Sequence, residues 1–104
     1  MAGLNIYWTK TAIAQRDLTF EYWNNRNKSK IYSSKLNKSI KERVSLLKTH
    51  PELGKPTSFP NTKTISLGHY SIIYKISENN IFITGFWDNR QNPVKLLKFL
   101  KEKN

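Results

Sequence analysis

Arg90 stands inside the polar run Trp87-Asp88-Asn89-Arg90-Gln91-Asn92-Pro93, directly after an apolar stretch, Ile81-Phe82-Ile83-Thr84-Gly85-Phe86, that reads as a β-strand. A guanidinium is a planar, permanently charged fork that matches phosphate or carboxylate. At the end of a strand, in a turn, it is well placed to meet an anionic partner. The competing role is structural: a salt bridge to Asp88, two residues earlier, would pin the turn. Asp88 and Asn89 themselves read as turn formers. His69 is the histidine suited to general-base work, because an imidazole titrates near neutral pH. After Gly68 it is equally natural as a polar turn residue.

Lys63, Tyr70, Tyr74 and Lys75 complete the set of side chains able to surround a phosphate or an acidic surface. Tyr70, Ile72, Tyr74 and Ile76 share one face of a strand, with Ser71, Ile73 and Lys75 on the other. On an uncovered face the two phenols would stack on bases or touch a protein. On a face packed by helices they would be core, which the alternating isoleucines favour. Strand alternation from Ile81 and Ile83 puts Trp87 in the core as well.

The elements that must position these residues follow from hydrophobic spacing. Leu4, Ile6 and Trp8 alternate as in a half-buried strand. Thr9 or Thr11 then caps a helix in which Ile13, Phe20 and Trp23 share a face with the stem of Arg16; Leu18 and Tyr22 pair beside it. The polar run from Asn24 to Lys28 interrupts the pattern. Ser29 caps a second helix carrying Tyr32, Leu36, Ile40, Val44 and Leu47, which ends at His50-Pro51. A loop from Pro51 to Asn61 holds three of the four prolines. Three strands follow, beginning at Thr64, Tyr70 and Ile81, with tight turns at Gly68-His69 and Glu78-Asn79-Asn80. Asn92 and Pro93 then open a short terminal helix with Val94, Leu97 and Leu100 on its inner side. The order β-α-α-β-β-β predicts an α+β fold, an antiparallel sheet covered by an N-terminal helical hairpin.

A chain of 104 residues is one domain, 1–104. Eighteen Lys and Arg against seven Asp and Glu give a net charge of +11, which favours polyanions or an acidic protein. With no cysteine, disulfides and thiolate metal sites are excluded, and His50 and His69 lie in separate segments without ligand spacing. Neither metal nor cofactor is expected. No basic n-region with a long apolar run opens the chain, and no stretch is apolar enough to span a bilayer. The expectation is a cytoplasmic protein without a membrane partner.

Four segments resemble the RelE/ParE toxins of type II toxin-antitoxin systems. They are Ile6-Tyr7-Trp8-Thr9-Lys10-Thr11-Ala12, His50-Pro51-Glu52-Leu53-Gly54-Lys55-Pro56-Thr57, the strand pair Lys63 to Leu67 and Tyr70 to Ile76, and Trp87 to Pro93. They occur in the family's order over roughly residues 4 to 95. The resemblance implies a toxin held inactive by a cognate antitoxin, an acidic segment wrapping the hairpin and sheet, with Tyr22, Lys35 and Lys38 as contacts. It also implies one of two targets. ParE-like members inhibit DNA gyrase, for which Arg90, Tyr70, Tyr74 and Lys75 are the expected target-binding residues. RelE-like members cut mRNA on the ribosome, for which Arg90, His69 and Lys63 are the catalytic candidates. RelE-type nucleases place an aromatic or histidine after the last strand; Gln91-Asn92-Pro93-Val94 offers none, which favours the ParE-like reading.

Overall fold

The computed structural model describes residues 4–90. The terminal helix expected from Pro93 lies outside them. Strand β1 (Asn5–Trp8) leads into helices α1 (Lys10–Asn27) and α2 (Ile31–Leu47), a single 3-10 turn (Pro51–Leu53), and strands β2 (Lys55–Pro56), β3 (Thr62–Leu67), β4 (Tyr70–Ser77) and β5 (Asn80–Asp88). The fold is α+β, with the two helices packed on one face of a five-stranded sheet ordered β1-β5-β4-β3-β2.

The sheet is mixed rather than purely antiparallel. β1 runs parallel to β5, Ile6 opposite Ile81 and Trp8 opposite Ile83, while the other pairs are antiparallel. Alternation in the sequence reveals that a strand exists but not which strand it joins. The helical hairpin provides the long crossover that a parallel partner requires. The proline-rich loop also contributes the two-residue edge strand β2, where Pro56 withholds a donor and blunts further pairing.

Local chemistry fixes the helices. The Thr9 side chain accepts from the Ala12 amide at 3.1 Å, and Lys28 ends α1 in the left-handed region at φ 53°. Ser29 lies one residue before the geometric cap of α2 and still accepts the Ile31 amide at 3.1 Å. Ser33 donates to Asn24 Oδ1 and ties the two helices across their turn. In α2, Leu36, Ile40, Val44 and Leu47 are buried as their spacing predicts, whereas Tyr32 stays 39% exposed. In α1 the expected face is rotated only in part: Phe20 packs against the core and Trp23 is half-buried, as their spacing predicts. Ala12 is the fully buried residue and Ile13 is exposed, so the sheet-facing side runs through Ala12, Gln15 and Trp23. A small residue at Ala12 lets the helix lie close to the sheet.

The core joins Leu36, Ile40, Val44 and Leu47 to Ile65, Tyr70, Ile72, Tyr74, Ile81, Ile83 and Phe86. Ile81 and Ile83 obey simple alternation; Phe86 does not. Ile73 pairs with Gly85 and Tyr74 with Ile83, which leaves Thr84 as an extra residue in β5. Past this bulge the inward positions become Phe86 and Asp88, and Trp87 turns to the opposite face beside Ser71. The expectation of a core Trp87 is thereby corrected: it is only half-buried. The Phe86 amide donates to Gln15 Oε1 from α1 at 2.9 Å.

Tyr74 closes the other end of the core. It is 0% exposed, and its hydroxyl accepts from the Gly54 amide at 2.8 Å and donates to the Pro51 carbonyl at 2.7 Å. A Cβ on Gly54 would meet Tyr74 Cε1 at 2.7 Å, so glycine is needed for this approach. Tyr74→Phe strands both loop groups and is expected to cost about 1–3 kcal/mol. Urea unfolding with an unchanged midpoint would show that the clamp contributes nothing.

Candidate functional site

The residues able to do chemistry divide by their place on the sheet. Arg90 lies two residues beyond β5, where Asp88 holds it at three points. Asp88 Oδ1 accepts from the Arg90 backbone amide and from Nε, both at 2.9 Å, and Oδ2 accepts from Nη2 at 2.8 Å. The backbone bond makes an Asx turn, and the other two form a bidentate fork. The salt-bridge role foreseen for Asp88 is therefore present, and it fixes the guanidinium in one orientation.

That orientation is over aromatic rings. Arg90 Cζ lies 5.9 Å from the Trp23 ring centre and 6.0 Å from that of Tyr70. Arg26 approaches Trp23 from α1 at 5.5 Å. The Trp23 indole donates to the Tyr70 hydroxyl at 2.8 Å, and Tyr70 stacks on Phe86 at 5.0 Å. Tyr70 is 2% exposed, and burial pushes its hydroxyl pKa up, so it remains a neutral phenol. Its part in the site is the wall behind Arg90, not an open stacking platform. The Arg90 hydrogen bond holds the Asp88 carboxyl below its ordinary range against a smaller effect of burial; the charges of Arg90 and His69 add to it.

His69 is exposed in the β3–β4 turn, where Gly68 takes φ +61°. Its carbonyl accepts the Asn89 amide at 2.7 Å and draws that turn to the end of β5. His69 and Arg90 thus share one end of the sheet. Lys63 does not. It pairs with Tyr74, four residues along β4 from Tyr70, or about 13 Å at the strand rise. Lys75 points to the face opposite Tyr70 and Tyr74, between Thr62 and Phe82. The four expected target-binding residues are therefore not one patch. Arg90 and Tyr70 gather, Tyr74 is sealed inside, and Lys75 belongs to the other face.

Among the expected antitoxin contacts, Tyr22 is 54% exposed on α1, and Lys35 and Lys38 are exposed on α2. Tyr22 lines a groove of about 540 Å³ between α1 and the end of β5, together with Leu18, Trp23, Arg26, Asp88 and Arg90. Lys35, His69 and Tyr70 line a smaller groove of about 330 Å³ beside α2. Trp23 was foreseen only as part of the apolar face of α1. Gln15 and Arg26 were not singled out from the sequence; each looks like ordinary helix surface until the bulge at Thr84 brings β5 under it.

A family profile described as "ParE toxin of type II toxin-antitoxin system, parDE" matches residues 6–93. The chain belongs to the ParE toxin family. This ParE-family chain is also similar in fold to a solved chain of a chromosomal ParDE TA system from P. aeruginosa. The TM-score is 0.71 at 20% identity, over 82% of this chain and 95% of that one. At that identity the likeness shows the fold alone. No curated protein matches the sequence. Among the described residues no helix is long and apolar enough to cross a membrane.

Because its folded pKa is depressed, Asp88 contributes stability that is complete above its unfolded value, ~3.9. That contribution is lost as pH falls through the lower folded value. Carbon-detected NMR titration should place the Asp88 carboxyl below the ordinary range of an aspartate, and Arg90→Ala should bring it back up. An Asp88 titration that Arg90→Ala leaves unchanged would contradict the fork.

Proposed function

We propose that this ParE-family chain is a cytoplasmic, growth-inhibiting toxin that acts on DNA gyrase and is neutralised by a cognate antitoxin. The observation that carries the gyrase reading is the state of Arg90, a cation oriented at the sheet end without a proton-transfer set around it among the described residues. Metal-free RNA cleavage needs a base and an acid within hydrogen-bond reach of the reacting oxygens, with cations about the phosphate. Lys63 sits two strands from β5, and the hydrogen bond that joins the turn of His69 to the β5 end is made by its backbone carbonyl, not its imidazole. A binding role asks less of the residues. It requires a preorganised charge on an aromatic base, and a surplus of cations to draw in an acidic or nucleic-acid-bound target.

The antitoxin half of the reading rests on family membership and on charge. At +11, the chain attracts an acidic partner and gains association rate from it. Raising the salt concentration should therefore weaken the toxin–antitoxin complex; a salt-insensitive affinity would assign the binding to apolar contacts instead.

The direct test incubates the protein with DNA gyrase, ATP and supercoiled plasmid. Trapped linear DNA and loss of supercoiling are expected. Arg90→Ala should require roughly tenfold more protein for the same effect, the scale of one lost charge-assisted contact. Fully active gyrase in the presence of excess toxin would overturn the proposal. Ribosome-dependent mRNA cleavage, with Arg90, His69 and Lys63 as the residues to mutate, would then be the reading to pursue.

A further inference from the structure

One flank of α2 presents only ammonium groups and hydroxyls. Lys30, Ser34, Lys38, Lys41, Ser45 and Lys48 follow one another at four- and three-residue steps, and all of them are exposed. Side chains at those spacings share a stripe along the helix, here turned away from the buried row of Leu36, Ile40, Val44 and Leu47. The stripe runs from one cap of the helix to the other, about 27 Å at 1.5 Å per residue. None of its lysines has an ion-pair partner among the described residues. Glu42, the one acid of α2, stands on the next flank, a turn beyond Lys38, and makes no ion pair either. The charge of the stripe is therefore uncompensated within the fold. It is also carried on a fixed element: Ser33 ties α2 to α1, and Arg43 Nη1 donates to the Ser66 carbonyl of β3 at 3.0 Å.

We infer that this stripe binds the sugar-phosphate backbone of duplex DNA without reading its sequence, the lysines on phosphates and the Ser34 and Ser45 hydroxyls between them. The inference stands apart from the gyrase and antitoxin readings, because it concerns DNA itself. The make-up of the stripe selects the ligand. A protein partner, even an acidic one, is held chiefly by apolar and aromatic anchors at the centre of its footprint, and the stripe offers none. The exposed aliphatics of α2, Ile31 and Leu46, lie off it at opposite ends of the helix, too far apart to form one apolar centre. A single nucleic-acid strand is held by stacking its bases on rings. The ring of α2, Tyr32, packs instead against Trp23 at 4.8 Å. A duplex needs neither anchor nor ring. Its bases are turned inward, and lysines with small hydroxyl side chains suit the contacts that position a protein on its phosphates. One strand of B-DNA advances about 3.4 Å per phosphate, so about eight phosphates span the stripe. The short serines let that backbone come close to the helix while the long lysines reach to either side. Helix α1 is less suited, since it exposes Asp17 and Glu21.

The test measures binding of the full chain to a random-sequence duplex of about 20 base pairs, two helical turns, by fluorescence anisotropy over a range of salt concentrations. Each phosphate contact contributes about −0.9 to the slope of log K against log salt. Combining Lys38→Gln with Lys41→Gln should therefore flatten the slope by about 1.8. Lys55→Gln, on the edge strand β2, should leave it unchanged. Glutamine has nearly the helix propensity of lysine and both α2 positions are exposed, so an unchanged unfolding midpoint is expected in the double variant. A slope that the double variant does not alter would overturn the inference. An equal loss per charge in Lys55→Gln would overturn it too, by making the attraction a property of net charge alone. So would an oligothymidylate that binds more tightly than the duplex and is released by the double variant. Gyrase is absent from this assay, so its failure and a failure of the gyrase reading are separate results.

Discussion

One extra residue in β5 sets the geometry on which everything at the sheet end depends. Before Thr84 the inward positions are Ile81 and Ile83; after it they are Phe86 and Asp88. A bulge leaves a ladder disturbed and its backbone groups in need of partners. Here the Phe86 amide finds one in Gln15 of α1. The same hydrogen bond secures the helix, which buries little apolar surface of its own. With the phase changed, Asp88 stands next to Tyr70, Arg90 folds back onto it, and Trp23 comes down from α1 to bond the Tyr70 hydroxyl. Without the bulge, Trp87 would point toward the helices and Asp88 away from them, and Arg90 would have no aromatic floor.

Charge acts at two ranges in this molecule. The excess of cations is a long-range property, screened beyond about 8–10 Å at physiological salt, and it governs encounter rather than fit. The Asp88–Arg90 fork is short-range and partly shielded, with side-chain exposures of 21% and 48%. Its contribution is orientation. A flexible arginine loses rotamer freedom on binding a partner, and one already fixed by a carboxylate has lost it on folding. The surface thus combines diffuse attraction with one preset cation.

The α+β class, the helical hairpin, the three C-terminal strands and the family were legible in the sequence, because periodicity and short ordered motifs carry them. Thr9, Ser29 and the buried row of α2 followed from spacing and capping chemistry. The parallel pairing of β1 was not legible, since alternation is the same for either direction. Nor was the phase change at Thr84. Threonine suits a regular strand, and nothing in Ile83-Thr84-Gly85 demands an extra residue beyond the glycine next to it. That one omission accounts for the misplacement at the site, Trp87 assigned to the core. The rotated face of α1 has a separate cause. Ile13 fits an apolar stripe, but the small Ala12 and the polar Gln15 are what the close approach to β5 requires.

The central claim is that Arg90 is held, before any partner arrives, between the Asp88 carboxylate and the Trp23 and Tyr70 rings. The most direct measurement is NMR of the arginine side chains in the free protein. Slow solvent exchange of the Arg90 Nε proton is expected, with nuclear Overhauser contacts from its δ-protons to the Trp23 indole. Both signals should disappear when Thr84 is deleted. Rapid exchange without any indole contact in the unmodified protein would contradict the account.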